Sequence, residues 1–248
     1  ATSLIESHGW RASFAAIGAM WAAVVFPVLY FLFHGEHEAP KPGEAEVIEL
    51  ENAPRGLRDA LLMPAFYRLL LASAFFTLTG IGMIVHFVPI LVDLGANPLG
   101  AASVASLIGV TSVIGRLSTG LLLDRFPPGL VGALVFLMPL AGSLLLLFAG
   151  SETAAQTVAA GCFGFAVGAE IDVIAFLVSR CFGLRSYGSI FGAMVGAMAL
   201  GSAAGPVAAG AVHDAFSSYA PFLMASAVLL AAGAVALAML KVPPAASL

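Results

Sequence analysis

Residues 99–149 read LGAASVASLIGVTSVIGRLSTGLLLDRFPPGLVGALVFLMPLAGSLLLLFA, and this stretch decides the fold. Its only charged residues are Arg116, Asp124 and Arg125. The polar break around Asp124 and Arg125 divides it into two apolar runs, 99–123 and 130–149. A helix of about 20 apolar residues crosses a hydrocarbon core of about 30 Å, so each run is long enough to span a bilayer. Working outward, five further runs qualify, at 10–33, 66–92, 154–178, 187–212 and 220–240. The first is cut off by a long polar stretch, and the other six follow one another through short loops.

Composition agrees with this reading. Hydrophobic residues make up 60% of the 248 and charged residues 10%, and the mean hydropathy is +1.03. A soluble domain carries about 25% charged residues, so this chain lacks the polar surface to face water, and lipid is its solvent. A net charge of -4 offers no footprint for nucleic acid. Cys162 and Cys181 form neither a CxxC pair nor a ligand cluster and read as apolar packing residues, so no metal or cofactor is expected. The chain opens on Ala1, and no charged segment, short apolar stretch and cleavage site precede the first run. A signal peptide is therefore not expected, and the chain reads as an excerpt of a longer one.

The polar stretch, 34–64, sets Glu36, Glu38, Glu44, Glu46, Glu49, Glu51 and Asp59 against Lys41, Arg55 and Arg58, with Pro40, Pro42, Gly43 and Pro54 between them. That composition predicts a flexible, solvated linker. Towards its end, 56–68 places Leu57, Leu61 and Leu62 among charges, which predicts a short amphipathic helix at the membrane surface. If the spans alternate, Lys41, Arg55, Arg58, Arg68, Arg116, Arg125, Arg180, Arg185 and Lys241 fall on one side, and only Arg11 falls on the other. The bias of basic residues towards the cytoplasm then puts the linker and the C-terminus inside the cell, in a plasma (inner) membrane. Helix starts fit this layout. Asn97-Pro98 offers a cap and a first-turn proline, and Ser151-Glu152 a cap and an acid at a positive helix end.

One helix, an acidic cytoplasmic linker and six closely spaced helices is an order similar to that of major facilitator transporters from their sixth helix to their twelfth. Gly9-Trp10-Arg11 followed by Phe14 resembles the start of the sixth helix. The run Gly115-Arg116-Leu117-Ser118-Thr119-Gly120 with Asp124-Arg125 resembles the cytoplasmic gating loop between helices eight and nine. Gly201, Gly205-Pro206 and Gly210 resemble the glycine-proline pattern of helix eleven. Within that superfamily the chain is similar to the monocarboxylate and oxalate–formate branch, through His86-Phe87-Val88-Pro89 with Asp93 and Gly95, 101–116, Glu170-Ile171-Asp172, Arg180-Cys181-Phe182-Gly183 and Tyr187-Gly188. The resemblance implies an all-α integral membrane fold, a major facilitator helix bundle. Residues 1–33 would end an N-terminal half, 34–64 would be the cytoplasmic linker, and 65–248 the C-terminal six-helix domain. It also implies a partner, the missing N-terminal half with its first five helices, and a solute site between the two halves.

Arg116 is the sharpest site residue. A charge placed within a span faces a partner or a wet cavity, and a guanidinium holds a carboxylate through two parallel hydrogen bonds. The plainer alternative is an arginine that reaches for the interface. The resemblance implies that Arg116 binds the substrate carboxylate. Ser112 stands where many monocarboxylate carriers have an aspartate, and 187–212 lacks the lysine of oxalate carriers, so a monocarboxylate suits the single cation better. His86 is a further substrate-binding candidate, able to titrate near neutral pH; its plainer role is a histidine satisfied by a backbone carbonyl. Glu170 and Asp172 lie about 200° apart on one helix, so one is expected to pair with Arg116 or Arg180 while the other faces a neighbouring helix or the cavity. A proton is a second partner, since a buried carboxyl group can carry one. The resemblance gives Gly120, Asp124 and Arg125 the conformational switch, weakened by Pro127-Pro128 where a basic continuation is usual. Glycines 161, 164 and 168, and 192, 196, 201, 205 and 210, form small-residue stripes for close helix packing.

The expected function is secondary transport of a small organic anion by alternating access. The alternatives are a facilitator for a different solute, an intramembrane enzyme and a membrane scaffold that transports nothing. A rhomboid-like GxSG serine and an aspartyl-type GxGD are both missing from the sequence, and no soluble domain is seen for signalling.

Overall fold

The computed structural model describes residues 2–32 and 56–242, and the described residues are helical apart from short turns. The chain divides into two units, 1–48 and 49–248. In the first, Thr2–Leu32 (α1) is two helices joined at Gly9, whose φ of 73° is open to glycine at little cost. Ser13 Oγ donates to the Gly9 carbonyl at 2.8 Å and steadies the join. The apolar helical run within α1, Arg11–Pro27, is at the short end of what crosses a bilayer. Most of the expected linker lies outside the described residues.

In the second unit the expected amphipathic helix over 56–68 is instead two elements. A single turn, Leu57–Ala60 (α2), is followed by α3, which starts at Pro64. The cause is local. Proline disfavours helical geometry in the residue before it, and Met63 is extended (φ -94°, ψ 129°). Ala60 is buried in the core with Leu57 and Met63 against it, while Leu62 is exposed.

Six helices are long and apolar enough to cross a membrane: Pro64–Asp93 (α3), Pro98–Arg125 (α4), Pro128–Ala149 (α5), Thr153–Phe182 (α6), Tyr187–Phe216 (α7) and Ala220–Ala238 (α8). The expected six-helix series is therefore present. Asn97 caps α4 as read from the sequence, its side chain accepting the Gly100 N–H at 2.7 Å. At α6 the cap is Glu152, not Ser151, and it makes no side-chain bond. Gln156 turns back to donate to the Gly150 carbonyl at 2.8 Å instead.

The helices pair as α3 with α7, α4 with α6, and α5 with both α6 and α8. Phe76 and Phe136 meet at 4.8 Å between ring centroids, and Phe87 and Phe163 at 6.0 Å, joining α3 to α5 and to α6. Buried hydroxyls mostly bond to their own helix: Ser73 to Leu69, Thr77 to Ser73, Thr79 to Phe75 and Ser143 to Pro139. That satisfies these four hydroxyls without water, as a lipid-embedded bundle favours. Outward-facing Leu99, Phe148 and Val207 are 70–85% exposed, an arrangement that only an apolar solvent accepts. The most exposed spans are α4 and α7, with 17% and 22% of their apolar windows buried.

Candidate functional site

The site begins with a glycine contact. A Cβ on Gly168 would overlap the Ser112 carbonyl, one on Gly164 would overlap Thr111 Oγ1, and one on Gly115 would overlap the Phe165 carbonyl. The backbones of α4 and α6 therefore touch, with both numberings advancing in the same direction. Gly201 and Gly205 do the same for α7 against Thr77 and Leu78 of α3. The rest of the expected stripes divides: Gly161 makes ordinary contact with Thr111, while Gly192 and Gly196 face open space.

Close approach of α4 and α6 lets a single arginine reach two groups. Arg116 Nε donates to the Gly168 carbonyl at 3.3 Å and lies 3.4 Å from Asp172 Oδ2. Both contacts use Nε. Nη1 and Nη2 make no hydrogen bond with the described residues. The two side chains are 61% and 40% exposed. Such a pair adds only about 0–1 kcal/mol where water reaches it.

Two cavities meet the pair. One of about 240 Å³ is lined by Ser112, Val113, Arg116, Leu117, Val167 and Gly168. The second, of about 480 Å³, has Asp172, Gly120, Asp124, Phe176 and Tyr187 in its wall. The structure thus brings Ser112 to Arg116, and Gly120 and Asp124 to Asp172. Tyr187 stacks on Phe191 at 5.2 Å on the rim. Arg125 is exposed at the end of α4. Arg180 sits in the last turn of α6, its guanidinium 5.9 Å from the Phe176 ring.

Glu170 and Asp172 diverge as their spacing requires, and it is Asp172 that meets Arg116. Glu170 is 6% exposed, and its Oε1 has no hydrogen-bond partner. His86 belongs to a different group. Its Nε2 lies 3.1 Å from the Pro206 carbonyl and its Nδ1 3.0 Å from the Tyr219 hydroxyl. A carbonyl only accepts, so Nε2 carries a proton, and in the neutral ring Nδ1 accepts from the Tyr219 hydroxyl. Both ring nitrogens are occupied, which is the plainer of the two roles read from the sequence. Tyr219, in the turn before α8, also stacks on His213 at 4.4 Å. Its hydroxyl is made harder to ionise by burial and by the charges of Asp93 and Asp214. Sequence reasoning missed Tyr219, which is 133 positions from His86, and the Gly168 carbonyl, a backbone group hinted at only by the glycine stripe.

Residues 1–203 match the family model of the Major Facilitator Superfamily. Monocarboxylate transporter 13 of Bos taurus and that of Rattus norvegicus are each 30% identical over 153 residues, covering 61% of this chain and 36% of the relative. An uncharacterized MFS-type transporter of Escherichia coli, YhjX, is 24% identical over 206 residues, covering 81% of this chain and 49% of its own length. The chain thus spans less than half the length of these curated relatives. The crystal structure of the Escherichia coli fucose:proton symporter superposes with a TM-score of 0.62 over 74% of this chain and 45% of that one, at 20% identity, a likeness of fold alone. With six spans in the expected order and a family match over most of its length, this chain is a membrane protein that belongs to the Major Facilitator Superfamily, a family of transporters and not of enzymes.

Proposed function

We propose that this chain supplies one wall of a secondary transporter that moves a small organic anion, a monocarboxylate, by alternating access. The observation that carries the reading is the state of Arg116: a cation within a span, beside a cavity of about 240 Å³, with Nη1 and Nη2 uncommitted among the described residues. Two parallel N–H donors match the two oxygens of a carboxylate. Asp172 balances the charge while the site is empty, and an arriving carboxylate competes with it for the guanidinium. Ser112, on the wall of the same cavity, supplies a short hydroxyl for a second polar contact. The names of the mammalian relatives, monocarboxylate transporters, support the same solute class. His86 has no part in this set, because Tyr219 and Pro206 already hold both of its nitrogens.

In this reading Gly120, Asp124 and Arg125 serve the conformational switch from the end of α4, next to the cavity that Asp172 enters. The missing N-terminal half provides the opposite wall. The linker and C-terminus face the cytoplasm in this reading, which the distribution of Lys and Arg supports.

The test is uptake of labelled lactate, pyruvate, formate and oxalate by the full-length protein in proteoliposomes, with Arg116→Ala and Arg116→Lys. A charge-assisted hydrogen bond contributes about 1.5–3 kcal/mol, so uptake at low solute concentration should fall about 10- to 100-fold in Arg116→Ala. Arg116→Lys should rescue it poorly, since an ammonium lacks the planar fork. Uptake unchanged in both variants would sink the anion site and leave the family assignment standing.

A further inference from the structure

Helices α4 and α5 follow one another through a tight turn, yet they hardly touch. Each packs elsewhere: α4 lies on α6, and α5 lies on α6 and α8. The turn allows this. Phe126 is extended before Pro127, so α4 ends there and α5 starts afresh at Pro128. Between the two helices lies a cleft of about 370 Å³. It is lined by Leu122 and Phe126 of α4, by Leu130, Leu134 and Met138 of α5, and by Phe165 of α6.

Every side chain in the lining is apolar. Water stays in a cavity only where polar groups hold it, so this cleft is no place for water. Helix α5 has no charged residue, its mean hydropathy of 2.4 is the highest of the six spans, and Leu130 and Leu134 are exposed on it. This side of the helix faces lipid. Lipid tails are as apolar as leucine, so the cleft alone selects no particular lipid.

Selection comes from the charges at its mouth. Arg125 stands one turn after Leu122, on the same side of α4, and is exposed. The neighbouring acid, Asp124, is about 200° from both Leu122 and Phe126 and lines the cavity that Asp172 enters instead. A Cβ on Gly129 would meet the Leu237 and Leu240 carbonyls, so the first turn of α5 rests on the end of α8. That packing brings the exposed Lys241 to the same end of the bundle. Cations at the end of a dry cleft match a phosphate carried on an acyl chain.

We propose that the α4–α5 cleft is a binding site for an anionic phospholipid, with one acyl chain between the helices and the phosphate at Arg125. Lys241 adds positive charge from α8. The site rests on packing and charge, and not on the transport reading above.

The test is native mass spectrometry of the full-length protein with dioleoyl phosphatidylglycerol and dioleoyl phosphatidylcholine, which share their chains and differ in net charge. The anionic lipid should bind at least about fivefold more tightly, the effect of one cation near a charged headgroup. Arg125→Gln should remove most of that preference. Arg185→Gln should keep it, because that exposed arginine lies in the turn after α6 and outside the cleft lining. Leu134→Trp should fill the cleft and weaken binding of both lipids. Dihexanoyl phosphatidylglycerol, which keeps the headgroup and shortens the chains, should bind far more weakly than the dioleoyl form. This last arm needs no variant, so the chain requirement is read even if Leu134→Trp fails to fold. Equal affinity for the two dioleoyl lipids, a preference that survives Arg125→Gln, or equal binding of the short-chain lipid overturns the proposal. A lipid-free dimer that Leu134→Trp splits would give the cleft to a second copy and overturn it too.

Discussion

The α4–α6 and α3–α7 seams are built alike and used differently. Each is a pair of helices closed by glycines until backbone meets backbone, and each carries a nitrogen-rich side chain near the contact. On α3 both ring nitrogens of His86 are consumed, by Tyr219 and Pro206. On α4 Arg116 spends Nε and keeps Nη1 and Nη2 open. Close packing therefore does not make a site. The proposed function turns on this difference in donors: His86 has none left, and Arg116 has two nitrogens to spare.

The largest effect should come from attacking the seam itself. Gly168→Val drives two methyl groups towards the Ser112 carbonyl, which must give way. Overpacking costs about 1–3 kcal/mol or more, so thermal stability in detergent should fall clearly. Gly192→Ala, facing open space, should leave it unchanged. Equal losses in the two variants would break the comparison by showing that any helix glycine matters equally.

A smaller effect is expected at the brace. His86→Phe keeps a ring but removes the hydrogen bond to the Tyr219 hydroxyl, at about 0.5–1.5 kcal/mol. Unfolding by denaturant should register that loss, while the solute concentration for half-maximal uptake stays put. A weakened solute affinity would instead make His86 part of the site. The smallest effect belongs to Asp172→Asn. An exposed ion pair contributes about 0–1 kcal/mol, so stability should barely move. With the competing carboxylate gone, half-maximal uptake should shift to lower solute concentration, and a shift the other way would mean that Asp172 helps to hold the solute.

The spans were legible because crossing lipid demands an uninterrupted apolar length, and 66–92 or 130–149 offers little else. Local rules decided the ends unevenly. Asn97-Pro98 starts α4 as a capping residue and first-turn proline predict. Ser151 is not the cap, because α6 starts at Thr153 and leaves Glu152 in the cap position, and Pro64 splits a helix that the amphipathic pattern joins. At the site, spacing established that Glu170 and Asp172 diverge. Which of them meets Arg116 depends on the register of α4 against α6, and that is settled only where Gly115, Gly164 and Gly168 come into contact. Backbone groups such as the Gly168 carbonyl leave no mark in a list of side chains.

The welded seams also have a mechanical side. Two helices in backbone contact bend less readily than one, as a laminated beam is stiffer than either of its boards. A push on the turn that holds Asp124 and Arg125 would then travel up α4 and α6 as one piece. Arg116 would arrive at its new position with Asp172 still alongside, and the charge pair would be cargo of the motion rather than its latch.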